Sequence, residues 1–483
     1  MKYWFIAAIS FVVPSGAIGQ ASQPAQNRLI AEAQAIDFRD GATVNKGAWT
    51  LTPNLNPDIY EAPLEKGERR EVCFMSGAKS LCRTVGVGES HDFVISFKGV
   101  DYPTRIKGVY VPPMATFDAA YQAAHRGKVT VVVPEVYELV NVAIALTSKA
   151  REEKFLVMKD TDYYRALLAH FAPVADHPFV KALDEKMRAN QIRYFDLKMN
   201  GYAFDYSPNG EIVRSTIYDR TGFNGNINNT LLPHFAEMQS FSRESNFRQF
   251  YAAHQALYAA QSDYFRNDIN VGRMVSWLKR NFPAVKPYDH VKIVFSPLVF
   301  GSQSVTWIEN NGFRELQPHI NFPYPQNFTL PISEQGKALQ RGNLLFTEVN
   351  HGFINPTASD NYAERIVKAM GDRAQWVKDN NTTSSYASST AVFNEMMNWA
   401  LVDLFYVDHA PPADLETLIE ANRKNQNDGR GFIRFRDFSN FLVPLYRNRP
   451  AGTTVADLYP QIISWFEQQN GSKAPSPPAA KTS

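Results

Sequence analysis

Residues 344–356 read Leu344-Leu345-Phe346-Thr347-Glu348-Val349-Asn350-His351-Gly352-Phe353-Ile354-Asn355-Pro356. The run is apolar and favours a buried helix, yet it carries a glutamate and a histidine three residues apart. In a helix, residues at i and i+4 share a face, so Thr347 and His351 point the same way with Glu348 beside them. Start signals at residues 331–334 and a stop at Asn355-Pro356 bound the predicted helix, and a second helix is expected over residues 361–378.

This layout is that of the helix H-E-x-x-H, in which two histidines hold zinc and the glutamate activates a water. Thr347 stands where the first histidine would be. Glu395 lies in another apolar helical segment, residues 391–405, and is the candidate third ligand; Glu364 is its substitute. A buried polar cluster in which Glu348, His351 and Glu395 satisfy one another also fits the spacing.

The composition and the first residues bear on the compartment. The chain has 483 residues and a net charge of +2, with no basic block, so no nucleic-acid partner is expected. Lys2 precedes a short apolar run, and Ala17-Ile18-Gly19 supplies small residues at a cleavage site. We therefore expect residues 1–19 to be a removed signal peptide. The mature protein would be secreted or periplasmic, without a transmembrane segment.

Cys73 and Cys82 are the two cysteines of the chain and lie in one short segment. In an oxidising compartment they are expected to form a disulfide that closes a small loop or hairpin. A catalytic cysteine would more naturally be single and paired with a distant histidine.

The pattern of short apolar runs and longer helical periods predicts an α+β fold. Residues 20–56 are polar and are expected to be a mature N-terminus that lies over the surface of the fold, whereas residues 69–111 contain short runs typical of a small antiparallel β unit. Residues 291–295 predict a strand, with neighbours at 305–308 and 319–322, just before the central helix. Most of the remaining chain has helical periodicity, and the Ser/Pro/Lys-rich tail from residue 471 is expected to be disordered.

Other chemistries find little support in the sequence. There is no G-x-S-x-G elbow, no P-loop and no C-x-x-C pair. Residues 425–429 hint at a calcium loop, but Lys424 and Phe435 fall at the first and last ligand positions, so the EF-hand pattern fails. An exposed turn is expected there instead.

Residues 347–356 resemble the H-E-F-x-H-x-F-x-N-P signature of a secreted bacterial family, domain of unknown function 4932. Residues 133–142 and 176–180 are similar to early segments of the same family, so the resemblance spans roughly residues 130–410. The family looks like a member of the gluzincin metallopeptidases. The resemblance thus implies a mainly helical, gluzincin-like (zincin) domain over residues 113–470, preceded by an N-terminal segment and β unit over residues 20–112.

By this resemblance His351 and Glu395 would bind zinc and Glu348 would be the general base of a peptide-bond hydrolysis. This sequence departs from the family signature at Thr347, which stands in place of the first histidine. A neutral hydroxyl is a far poorer zinc ligand than an imidazole. Another histidine could supply the missing ligand, and the candidates are His319, His234 and His254. Alternatively, the metal would be held weakly by two protein ligands and waters. Two function classes follow: a metallopeptidase acting on a peptide or protein, or a non-catalytic pseudopeptidase that serves as a binding or interaction protein of the cell envelope. The oligomeric state is left open.

Overall fold

The computed structural model describes residues 27–52, 57–301, 303–378, 382–386 and 388–470. The expected signal peptide and tail lie outside these residues. The chain divides into two compact units: Met1–Thr116 with Tyr218–Thr230, and Phe117–Ile217 with Leu231–Ser483. The predicted α+β class is confirmed, with a β-rich first part and a mainly helical remainder.

The first unit is built from strands whose apolar side chains alternate along the chain. These strands are β1 (Arg28–Ile30), β2 (Ala35–Asp40), β3 (Thr43–Thr50), β4 (Asp58–Leu64), β5 (Arg69–Ser76), β6 (Lys79–Gly86), β7 (Ser90–Phe97) and β8 (Val100–Tyr110). They form two sheets of order β1-β7-β8-β4 and β3-β2-β5-β6, which share one apolar core. Within residues 20–56, the described part is not only a polar segment over the fold, because β2 and β3 form an antiparallel hairpin there.

The second unit contains a mixed sheet and a layer of helices. Its sheet strands are β9 (Lys128–Val132), β12 (His290–Ser296), β13 (Ser304–Asn310) and β14 (Phe313–Asn321), in the order β13-β14-β12-β9. Strand β12 runs parallel to β9 and β14, and β13 is antiparallel to β14. A short hairpin, β10 (Phe204–Tyr206) with β11 (Ile212–Arg214), lies between the helices.

The helices of this unit range from 5 to 28 residues in length. They are α1 (Ala119–His125), α2 (Glu135–Leu146), α3 (Ser148–Glu152), α4 (Asp162–Phe171), α5 (Pro178–Ala189), α6 (Arg193–Asn200), α7 (Phe235–Glu244), α8 (Phe247–Ala253), α9 (Gln255–Asn267), α10 (Val271–Asn281), α11 (Glu334–Arg341), α12 (Asn343–Met370), α13 (Ser389–His409), α14 (Leu415–Lys424), α15 (Phe435–Arg447) and α16 (Tyr459–Gln469). Helix α12 packs against β14, α13 and α16.

The stop predicted at Pro356 is wrong. Helix α12 runs through Pro356 to Met370 and takes in most of the segment expected to be a second helix. Proline has no amide hydrogen to donate to the carbonyl of Gly352, four residues earlier. The hydroxyl of Tyr288 donates to that oxygen at 3.0 Å instead. A tertiary hydrogen bond therefore replaces the missing helical one.

A second correction concerns residues 425–429, where an exposed turn was expected. Residues Asn425–Arg430 form a π-helical turn, and the amide of Gly431 donates to the carbonyl of Gln426. This turn connects α14 to α15 and presents Arg430 toward α13.

None of the helices in the described part of the chain combines the length and the apolar character that a bilayer span requires.

Candidate functional site

Helices α12 and α13 bring together two of the predicted site residues. The Nε2 atom of His351 lies 3.2 Å from Oε1 of Glu395, and both side chains are 14 % exposed. Asn398, one turn after Glu395, places its side-chain nitrogen 3.0 Å from the same Nε2. On the other side of the ring, Nδ1 lies 3.4 Å from Oδ1 of Asn355. Because Asn355 follows His351 by four residues, the helix itself orients the imidazole.

The second carboxylate oxygen of Glu395 is held by residues that the sequence did not single out. Tyr386 donates its hydroxyl to Oε2 at 2.9 Å, and Arg430 lies 3.4 Å from the same oxygen. Arg430 also donates to the hydroxyl of Tyr386. Its guanidinium lies 4.9 Å from the ring of Trp399, which places a cation on an aromatic face. Glu395 is therefore the centre of a closed network of donors.

This network sets the protonation of its two central groups. Burial alone would lower the pKa of His351, but the hydrogen bond to Glu395 and the negative charges of Glu395 and Glu348 raise it to about 9. Burial alone would raise the pKa of Glu395, but His351, Arg430 and Tyr386 hold it below its ordinary value. Both shifts favour an imidazolium paired with a carboxylate.

Glu348 acts on that pair through its charge rather than through a hydrogen bond. Burial raises the pKa of Glu348 to about 7, and the nearby charges of His351 and Lys198 oppose the rise. Among the described residues, Glu348 makes no hydrogen bond or ion pair. Lys198, on α6, is completely buried, and burial lowers its pKa to about 7 against the attraction of Glu348. Lys198 was missed because one lysine in a short aromatic helix gives no signal of its own.

The hydroxyl of Thr347 is engaged within its own helix. Its side chain is buried, and Oγ1 donates to the carbonyl of Leu344 at 2.9 Å. Such bonds from threonine to the preceding turn are common within helices. The position that would carry the first histidine is thus occupied by a hydroxyl bonded to its own helix.

The alternative ligands lie elsewhere. Glu364 is exposed on α12. His319 is buried between the rings of Tyr137 and Tyr202. His254 hydrogen-bonds through Nδ1 to the carbonyl of its own helix, and the charges that act on His234 are those of Lys186, Glu237 and Glu185. In the described parts of the chain, no hydrogen bond, ion pair or ring contact joins any of these residues to His351.

The donor set does not fit a zinc ion. A point 2 Å from both His351 and Glu395 exists, because their ligand atoms are 3.2 Å apart. A catalytic zinc needs three protein ligands, however. Within the described residues, the one triple of His, Cys, Asp or Glu ligand atoms that lie within 4.8 Å of one another is Glu71, Cys73 and Cys82. Cys73 and Cys82 form a disulfide, as predicted.

Comparison with known proteins supports the resemblance at the level of the family. The family model described as a domain of unknown function, DUF4932, matches residues 129–465, which is more than half of the chain. The match reaches past the expected limit at residue 410 and includes Arg430. No curated protein and no solved structure matches the chain. The chain therefore belongs to the DUF4932 family.

Proposed function

We propose that this chain is a metallopeptidase-like protein that acts without zinc catalysis, as a binding or interaction protein for a peptide or protein of the cell envelope. One observation carries the proposal: Glu395 already has His351 on one oxygen and Tyr386 and Arg430 on the other. The residues that would hold a metal are instead paired with one another.

A zinc ion would have to break this arrangement. Zinc binds neutral imidazole, so the proton of His351 would have to leave first. The hydrogen bond to Glu395 and the negative charges of Glu395 and Glu348 raise the pKa of His351 and so oppose the loss of that proton. Arg430 competes for Glu395 as a fixed cation, and Thr347 contributes no ligand atom. These three effects all favour the metal-free state.

Export of the protein is part of the proposal. It rests on the apolar N-terminal run followed by Ala17-Ile18-Gly19 and agrees with the disulfide, since such bonds persist in oxidising compartments. N-terminal sequencing of protein from the native envelope should give a mature chain that begins near Gln20. Recovery of a chain that starts at Met1 would contradict export.

The test of the metal-free state is the melting temperature of wild type and Thr347→His, each measured with zinc and with chelator. The larger side chain is expected to cost about 1–3 kcal/mol in this packed position. Zinc should leave wild type unchanged and should stabilise the variant, because a ligand that binds the native state raises its stability by mass action.

The control is Thr347→His combined with His351→Ala, which should lose the zinc response. A zinc-dependent rise in wild type that His351→Ala abolishes would mean that the natural protein binds metal, and the proposal would fall. A folded Thr347→His variant without any zinc response would show that the gluzincin geometry itself is absent.

A further inference from the structure

The disulfide of the first unit belongs to a row of side chains that crosses three strands. Arg39 of β2 is paired with Cys73 of β5, and Cys73 is paired with Cys82 of β6. Residues paired directly across a ladder lie on the same face of the sheet. Val72 and Phe74, which flank Cys73, belong to the apolar core, so this row lies on the opposite, outer face. The guanidinium therefore stands at the Cys73 end of the disulfide.

The two sulfurs differ in their exposure. Cys73 has no exposed surface, whereas Cys82 is half-buried. Ser80 and Thr84, the neighbours of Cys82 on the same face of β6, are exposed. Thiol–disulfide exchange begins when a thiolate attacks one of the two sulfurs, and access helps to decide which one. An incoming thiolate therefore reaches the sulfur of Cys82, and Cys73 becomes the leaving group.

Arg39 is placed to stabilise that leaving group. Its Nη2 atom donates to Sγ of Cys73 at 2.8 Å, and its Nη1 atom donates to the carbonyl of Gly41 at 2.8 Å. The bond to Gly41 fixes the guanidinium before any reaction takes place. A neighbouring arginine favours a thiolate over a thiol, and a more stable leaving thiolate departs faster. The negative charge that develops on Cys73 thus meets a donor that is already in position.

Glu71 is the nearby charge that opposes this effect. Its Oε1 atom lies 2.5 Å from Nη2 of Arg39 and 3.7 Å from Sγ of Cys73. Nη2 carries two hydrogens, one for the carboxylate and one for the sulfur, so the ion pair leaves the bond to Cys73 intact. The sulfur is closer to the guanidinium than to the carboxylate, and Glu71 is 49 % exposed, so solvent screens its charge. Glu71 reduces the stabilisation by Arg39 without cancelling it.

We propose that the disulfide between Cys73 and Cys82 is a site of exchange with small thiols. A thiolate forms a new S–S bond with Sγ of Cys82, the original S–S bond breaks, and its electron pair stays on Cys73 as a thiolate that accepts from Arg39. A second thiolate then attacks the sulfur of the first thiol and releases Cys82 as a thiolate. Two thiols are oxidised to one disulfide, and the protein disulfide is reduced to two thiols.

This exchange does not depend on the proposed function. The disulfide lies outside residues 129–465, which the family model matches, and the network of Glu395 contributes nothing to it.

The direct test identifies the mixed disulfide that forms first. The folded mature chain is treated briefly with reduced glutathione, free thiols are blocked with N-ethylmaleimide, and the peptides are analysed by mass spectrometry. Glutathione should be found on Cys82 and the maleimide on Cys73. Glutathione on Cys73 instead, or a disulfide that opens only after the chain is unfolded in urea, would overturn the proposal.

A kinetic test measures the rate at which glutathione opens the disulfide. Arg39→Gln removes the cation beside Cys73 and should slow opening roughly five- to tenfold. If Arg39 only held the strands together, its loss would loosen the sheet and speed opening, so the direction of the change separates the two roles. Glu71→Gln removes the opposing charge and should speed opening. A rate that is unchanged or higher in Arg39→Gln would overturn the proposal.

Arg105→Gln is the matched control. Arg105 of β8 makes a cross-strand ion pair with Asp92 of β7 at 2.6 Å, in the other sheet of the same unit. Its loss removes an arginine and an ion pair but leaves the row of Arg39, Cys73 and Cys82 untouched. The opening rate of Arg105→Gln should equal that of wild type. A slowing equal to that of Arg39→Gln would contradict a specific action of Arg39 on the sulfur.

Discussion

At the scale of single residues, the pair of His351 and Glu395 predicts how stability depends on pH. The pKa of His351 is raised in the folded protein to about 9, above its unfolded value near 6.5. Its contribution is therefore fully present below pH 6.5 and is lost as the pH rises through 9. We expect wild type to lose about 1–3 kcal/mol of unfolding free energy between pH 6.5 and pH 10, measured by urea denaturation.

Glu395→Gln tests the cause of that loss. The variant keeps the shape of the side chain but removes the charge, so the pKa of His351 should fall and the loss above pH 7 should become smaller. NMR titration of the His351 ring reports the pKa directly. An unchanged pKa in Glu395→Gln would show that Glu395 does not control the proton on His351.

Residue patterns alone identified one half of this site. Glu348 and His351 stand out because polar residues at helical spacing in an apolar run are unusual, and Glu395 stands out for the same reason on α13. Tyr386 and Arg430 could not be found this way. Each comes from a separate segment whose local sequence is ordinary, and only the packing of α12, α13 and the π-helical turn brings them to Glu395.

At the scale of the helix, a tertiary hydrogen bond from Tyr288 supports α12 at Pro356, where the local sequence predicts that the helix ends. Asn-Pro is a sound stop signal, and a chain without Tyr288 would be expected to end the helix there. We expect Tyr288→Phe to cost about 1–2 kcal/mol, because it leaves the carbonyl of Gly352 unsatisfied. In a Pro356→Ala background the alanine amide donates a hydrogen bond to that carbonyl. Tyr288→Phe should then lower the unfolding free energy markedly less.

The check is a double-mutant cycle of these two substitutions by urea denaturation. Additive costs would show that the hydroxyl of Tyr288 does not compensate for the proline.

Gly352 itself is required by close packing. A Cβ atom there would lie 2.9 Å from Cδ1 of Leu316 and 3.0 Å from the hydroxyl of Tyr288. Gly352→Ala should therefore lower the unfolding free energy by about 1–3 kcal/mol despite the better helix propensity of alanine. Gly272→Ala on α10 is the control, since its nearest atom would be 3.8 Å away. It should be neutral or up to about 1 kcal/mol stabilising, and equal losses at both glycines would contradict the packing argument.

At the scale of the whole molecule, the α+β class follows from the sequence because period-2 and period-3.6 patterns occupy different parts of the chain. The extent of the first unit does not follow from it. Polar residues in β2 and β3 obscure the strand pattern in their sequence. The pairings of β1 with β7 and of β4 with β8 are parallel, and they depend on contacts between segments that are distant in the sequence. Where an element depends on its partners, the local pattern is insufficient.

The disulfide between Cys73 and Cys82 joins β5 to β6 directly across the ladder. Closing so short a loop stabilises the folded state by about 2–3 kcal/mol in the chain-entropy model. Reduction should therefore speed hydrogen exchange in β5 and β6 while peptides of α13 serve as the reference. The double substitution of both cysteines by alanine should show the faster exchange with or without reductant. Exchange in β5 and β6 that does not respond to reduction of wild type would contradict this prediction.

The π-helical turn at Asn425–Arg430 makes the number of residues in this segment as important as their identity. A π turn holds one residue more than the α-helical turn that it replaces, and one residue corresponds to a rotation of about 100° about the axis. Removing one residue from this turn would therefore swing the side chain at the position of Arg430 away from Glu395. In a set of related sequences, a one-residue gap between Lys424 and Gly431 would mark chains that lack the guanidinium at this carboxylate, even where an arginine is still present nearby.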